Sequence, residues 1–480
     1  MTVFAAAIFV TACPPLSDDY EIVASGGSDP GGSGGVGAGA GSGGIAGAAG
    51  TGSAAGAGGA GGAVGGGGGS GGGVGGAGDA GSDASDAACG ACDAMICCSG
   101  ACVDLQTDPS HCGGCGNACS KGRACNFGKC AGGWVAMGAS SFAPREKTAH
   151  VWTGSRVFIF GGLDGVGAVL GDGALYDPLE PSAGGWTLIP AGSGAPAPRQ
   201  LATALDLGGS VLVFGGGGVA STVDFADGAV FDLASKSWSK IPDAPKARRA
   251  PVIAKRGTKV LVWGGWDGAG KPVTDTHVFD LAAKNWSVIT AEPSARTDFA
   301  WAASTDHLYV YGGRVAGTNK TDEAHRALID TGAWLVTAKG PSSRYSSFGA
   351  WDGARFWVWG GRDDNNAKAD GSAFDGTWSA LGATNAPSAR AAPHRQAGWT
   401  GKVADKVVLA AGGMTPTGTY LHNGGVYDGS GSTPKWSGVP DWPSGEDHAW
   451  GVGVWTGQEL VLWGGRTGAA LTPKGERFKP

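Results

Sequence analysis

Residues 157–162 read VFIFGG: four apolar residues, then two glycines. The run is too short for a helix and rich in β-branched and aromatic residues, which marks a buried strand. Paired glycines end such a strand where the backbone takes positive φ or another backbone crowds it. The stretch returns as VLVFGG (211–216), VLVWGG (260–265), LYVYGG (308–313), FWVWGG (356–361), VLAAGG (408–413) and VLWGG (461–465). The pairs are Gly161 and Gly162, Gly215 and Gly216, Gly264 and Gly265, Gly312 and Gly313, Gly360 and Gly361, Gly412 and Gly413, and Gly464 and Gly465, spaced 48–54 residues apart. Seven copies at this period predict a repeat architecture. One unit cannot bury its own faces, so the units must pack on one another and the ring must close.

Each copy carries two further marks. An aromatic–aspartate step follows the glycines, as Tyr176–Asp177, Phe231–Asp232, Phe279–Asp280, Phe374–Asp375 and Tyr427–Asp428, weakened to Ile329–Asp330 in the fourth copy. Within ten residues comes a tryptophan: Trp186, Trp238, Trp286, Trp334, Trp378 or Trp436. This order of diglycine, aromatic and tryptophan resembles the kelch repeat. The resemblance implies an all-β fold over residues 131–480, a seven-bladed β-propeller with one four-stranded sheet per repeat. The tryptophans are then expected between neighbouring sheets.

Seven diglycines require seven tryptophan strands, and only six tryptophans follow them. The seventh lies upstream, as Trp134 in GGWVAM (132–137). The C-terminal GERFKP (475–480) aligns with GALYDP (173–178). The last blade is therefore expected to take three strands from the C-terminus and its fourth from residues 134–138, paired near Phe478.

A second register lies sixteen residues before each diglycine: Arg145, Arg199, Arg248, Arg296 and Arg344, with Arg390 or Arg395 in the sixth copy and His448, after Glu446 and Asp447, in the seventh. A residue repeated in every blade suits structure, and these side chains are expected to tie blade to blade by charge-assisted hydrogen bonds. Their functional alternative is a place near the channel mouth, the face where kelch-type proteins usually bind ligands. Ligand contacts are better sought where the repeats differ. Directly after the diglycine stand Arg314, Arg362 and Arg466, where other copies have Leu163, Gly217, Trp266 and Met414. With Arg344 and His448 they form the candidate binding set, suited to an acidic peptide or a carboxylated sugar. RDDNNAK (362–368) reads as a solvated turn rather than a calcium loop, and no metal or cofactor is expected.

Kelch-type enzymes of the galactose-oxidase class need a cysteine crosslinked to tyrosine, and residues 131–480 contain no cysteine. Nucleophile elbows, phosphate loops and zinc-protease helix motifs are absent from the sequence, and its histidines lack ligand spacing. The expected function is binding of a protein or glycan. The alternative is a carbohydrate-active enzyme resembling the sialic-acid mutarotases. The net charge of −6 offers no basic footprint for nucleic acid, and the chain is expected to act as a monomer.

Outward from the repeats the composition changes. Ten of the 11 cysteines fall within residues 89–130: Cys89, Cys92, Cys97, Cys98, Cys102, Cys112, Cys115, Cys119, Cys125 and Cys130. The spacing of Cys89/Cys92 and Cys112/Cys115 would suit a zinc knuckle. An even count in an exported chain favours five disulfides, with connectivity open. CVDLQTDPSHCGGCGNAC (102–119) resembles the stigma-specific cysteine-rich module, which implies an extracellular setting. Residues 25–88 are nearly all Gly, Ala and Ser. Residues 13–88 are thus expected to be a flexible linker spanning roughly 45–50 Å. The start MTVFAAAIFVTACPP has an apolar run fit for a signal peptide (1–12) and too short to cross a bilayer. Its VTAC (10–13) resembles the lipobox of bacterial lipoproteins, which implies lipidation of Cys13 and an exported protein at the outer membrane or cell surface. That anchor is the expected membrane contact.

Overall fold

The computed structural model describes Cys92 and residues 95–480, apart from 106–107, 120–124, 127–128, 131–132, 181–184, 220–222, 268, 270, 290–292, 316–319, 392–397, 405–406, 416 and 430–433. The expected signal peptide, Cys13, the linker, Cys89 and Arg395 lie outside the described residues.

Seven four-stranded antiparallel sheets follow one another along the chain, and no helix occurs among the described residues. The first blade is typical, with strands at 149–152, 157–160, 173–176 and 186–189. Its second strand, VFIF, is buried at all four residues because a neighbouring sheet covers each face. The third strand places Tyr176 opposite Trp186, and the same pairing sets Phe231 against Trp238, Phe279 against Trp286, Phe374 against Trp378 and Tyr427 against Trp436. In the fourth blade Ala327, not Ile329, faces Trp334, so alanine fills the aromatic position and Ile329 stands two residues beyond it. Trp334 instead packs on Trp263 of the preceding blade at 5.0 Å.

The last blade joins 452–455, 460–463 and 475–478 to residues 134–136. Phe478 pairs with Trp134, Arg477 with Val135 and Glu476 with Ala136. Trp134 packs at 5.0 Å on Phe478 and 5.4 Å on Trp442, and its Nε1–H donates to Pro440 O at 2.8 Å. The expected closure by the two ends is thus the observed one.

Both reasons for the paired glycines hold. First glycines have φ of +65 to +72° and second ones +81 to +101°. A Cβ on Gly161 would lie 2.4 Å from Arg199 O. The N–H of Gly162 donates to that same carbonyl at 2.8 Å, linking one blade to the next. Equivalent bonds of 2.9 Å run from Gly216 to Arg248, Gly313 to Arg344, Gly361 to Arg390 and, across the seam, Gly465 to Arg145.

The arginine side chains do not tie blade to blade, which corrects the sequence expectation. Arg145, Arg199, Arg248, Arg296, Arg344 and Arg390 are each 0–1% exposed. Each guanidinium stays within its own blade and donates to the first-glycine carbonyl sixteen or, for Arg390, 22 residues on, at 2.9–3.4 Å. The rest of the fork reaches acceptors at the third strand: Asp172, Asp227, His277, Glu323, Asp370 and Asn423. A buried guanidinium requires acceptors of this kind. The arginine's backbone, not its charge, crosses to the neighbouring blade.

The cysteine-rich region forms two short hairpins, 96–98 with 101–103 and 125–126 with 129–130. Its disulfides are Cys92–Cys102, Cys98–Cys115, Cys112–Cys125 and Cys119–Cys130, and Cys97 is also disulfide-bonded. Cys112 and Cys115 go to different partners, so they form no zinc knuckle.

Candidate functional site

Two residues after six of the seven positions in the arginine register the chain enters the left-handed region at a non-glycine residue. Lys147, Leu201, Ala250, Asp298, Ser346 and Trp450 have φ between +44 and +60°. Such backbone is uncommon outside glycine and persists only where surroundings enforce it. Here a collar of hydrogen bonds enforces it. Lys147 N–H donates to Trp450 O (2.8 Å), Leu201 to Lys147 (2.9 Å), Ala250 to Leu201 (2.7 Å) and Ser346 to Asp298 (2.6 Å).

The collar surrounds one end of a channel of about 820 Å³, walled by the innermost strands of all seven blades. Those strands follow one template but differ in chemistry. Trp152, Trp301, Trp351 and Trp455 line the channel, with Trp266 and Trp450 at the collar. Lys147, Lys255, Lys402 and Asp206 supply charge. None of these was singled out as a ligand contact from sequence. The signal was available: they stand two to seven residues after the arginine position, twelve for Lys402 in the sixth copy, or beside the diglycine, where the copies disagree.

The predicted binding residues separate. Arg314 and Arg362 meet over one ring, their guanidinium carbons 4.1 and 5.7 Å from the Tyr345 centroid. Arg314 is 41% exposed and 3.9 Å from the Asp298 carboxylate. Arg466 stands two blades from Arg362 and grips both oxygens of Glu146 at 2.9 and 3.1 Å. Arg344 and His448 are buried at 1% and 0% exposure. Arg344 donates to Gly360 O, Asp370 and Ser342. His448 sets Nδ1 2.8 Å from Gly464 O and Nε2 2.6 Å from Glu476. The structure therefore places both inside their blades with no surface for a ligand, and they leave the candidate set. In the 362–368 turn, Asp363 accepts from the N–H groups of Asn365 and Asn366 and pairs with Lys368, while Asp364 pairs with Lys320. Its carboxylates are occupied within the fold. Among the described residues the one cluster with metal-ligand geometry is Cys112, Cys119 and Cys130, all in disulfides.

The model of the KLHDC2/KLHL20/DRC7 Kelch-repeats domain matches residues 133–313 and 252–465. The chain belongs to the kelch-repeat family. Residues 80–132 match the model of the stigma-specific STIG1-like protein family. Similar to part of the kelch chain is the flagellar outer-arm dynein alpha chain of Chlamydomonas reinhardtii, 32% identical over 147 residues. That match covers 29% of this chain and spans only 3% of the dynein's length. The solved structure of YjhT aligns with a TM-score of 0.46 at 19% identity, over 62% of this chain and 99% of YjhT.

The cations at the kelch mouth differ in how tightly they are paired. Arg249 donates to Asp224 at 2.6 Å, and its guanidinium lies flat on Gly217, where a Cβ would come within 2.3 Å of Nε. Lys147 is 19% exposed, with Nζ 3.9 Å from Glu146 and 5.4 Å from the Trp450 centroid. Burial pushes its amine below the ordinary lysine value, Arg466 and Arg249 push the same way, and Glu146 opposes them. Deeper in the third blade, burial and the adjacent Arg248 push His277 down to about 4, which keeps it a neutral acceptor. The mouth thus combines aromatic faces, a few aimed cations and a preformed rim, the usual ingredients of a ligand pocket.

Proposed function

We propose that this kelch propeller is a binding module that takes a protein or glycan ligand at the channel mouth. The observation that carries the reading is the asymmetry of the channel: seven equivalent strands present different residues around one opening. Stacked Arg314, Tyr345 and Arg362 provide a cationic, aromatic edge suited to an acidic ligand. The proposed setting is an exported surface protein of bacterial lipoprotein type, anchored through Cys13 and displayed on the Gly/Ala/Ser stretch. The apolar run before Cys13 and the disulfide-bonded region after the linker support it. A glycan array probed with wild type and with an Arg314→Ala/Arg362→Ala double variant tests the reading. Wild type is expected to retain acidic glycans that the variant loses by about tenfold or more. Equal retention removes the arginine edge, and turnover of an array sugar would move the protein to the enzyme class.

A further inference from the structure

The Lys147 ammonium stands out in the mouth for what it lacks. Its three N–H groups have no hydrogen-bond acceptor among the described residues, although it is mostly buried. The nearest carboxylate, Glu146, lies at 3.9 Å and is already held at both oxygens by Arg466. Arg249, the other nearby cation, is bound to Asp224. Three cations thus share two carboxylates, and Lys147, which keeps only the long 3.9 Å pairing with Glu146, lines the channel. A largely desolvated ammonium without a hydrogen-bond acceptor has much to gain from an anion that reaches it. Its backbone cannot easily relax, because Lys147 sits at φ +57° with its N–H and C=O both tied into the collar. Beside it the half-buried Trp450 indole also lines the channel.

We propose that Lys147 is the seat for a single carboxylate on a small ring-shaped ligand, a uronate-like sugar acid whose C–H face lies on Trp450. An ammonium is a point charge with rotatable donors and suits one singly charged group. A phosphate dianion would call for more than the one excess positive charge found here. The lowered basicity of the amine fits a site that awaits its anion, since a bound carboxylate restores the ammonium's stability.

The proposal rests on the ligand-binding reading, but its failure is separable. The full chain is titrated with glucuronate and galacturonate against glucose and galactose, which carry a hydroxymethyl group in place of the carboxylate. Wild type is expected to prefer an acid by tenfold or more. Lys147→Met should weaken acid binding by about ten- to hundredfold and leave neutral sugars unchanged, while Lys147→Arg should stay within a few fold of wild type. Should Lys147→Met fail to fold, wild type with ¹³C-methylated lysines serves instead, with the Lys147 signal assigned from Lys147→Arg. That signal should shift with glucuronate or galacturonate and not with glucose. Equal acid affinity in wild type and Lys147→Met, no preference for acids, or an unmoved Lys147 signal overturns the seat. If array ligands still bind in those cases, the wider binding reading survives.

Discussion

His277 shows how one residue adjusts a repeated device. Five blades give the buried arginine a carboxylate or amide oxygen before the third strand, but Arg248 meets the imidazole Nδ1 at 3.1 Å. The ring must stay neutral to accept, and burial beside a guanidinium holds it at about 4 against an ordinary 6.5. The unfolded chain then binds more protons than the folded one between those values. The stability His277 confers is present above pH 6.5 and lost as pH falls toward 4. The melting temperature of wild type should therefore drop across that window more than that of His277→Gln, whose amide oxygen can accept without titrating. Parallel profiles would refute this. The seventh blade replaces arginine by His448, and its two ring nitrogens face a carbonyl and Glu476. Burial pushes the Glu476 carboxyl up, but hydrogen bonds from His448 and Ser444 outweigh it and leave it below the ordinary range. The arginine register was plain in the sequence, but its direction was not, because spacing does not show whether a side chain turns back into its own sheet or across to the next.

At the level of the element, the position after the diglycine varies most and decides what each blade shows at the mouth. Leu163, Trp266, Arg314, Arg362, Met414 and Arg466 occupy it, but the second blade has Gly217. The reason is close approach rather than backbone freedom, since the Arg249 guanidinium fills the side-chain space on its way to Asp224. Gly217→Leu should expel Arg249 and leave Asp224, 9% exposed, without its cation, at a cost of about 3 kcal/mol. Urea unfolding checks it, and a loss under about 0.5 kcal/mol would contradict the packing. The tryptophans of the outer strands were legible because a short apolar run, a tight turn and an aromatic pair are local features. The channel tryptophans were not singled out: they lie on innermost strands whose inward faces exist only once seven blades surround a common axis. Cysteine pairing was likewise open until the hairpins brought Cys98 to Cys115 and Cys112 to Cys125.

For the whole molecule, the seam carries the closure. The strand at 134–136 covers the edge of 475–478, and the Gly465 N–H reaches Arg145 O to complete the circle of blade-to-blade bonds. Deleting residues 131–140 should expose an unpaired strand edge and sharply lower the melting temperature. Trp134→Ala alone should cost about 3–5 kcal/mol, and an unchanged melt in either variant would show that closure does not depend on this strand. Lys147, next to the same seam, belongs to this scale too, since its surroundings come from both ends of the chain. The amino-acid order by itself determined the number of blades and the pairing of the strand at 134–136 with the last one, because these follow from short-range periodicity and from counting complementary halves. Only the tertiary structure decided which arginines are spent inside the blades, which side chains reach the channel, and that a lysine at a left-handed backbone position is left without an acceptor. Burial and charge compensation depend on neighbours about fifty to three hundred residues away in sequence, and only the closed ring brings those together.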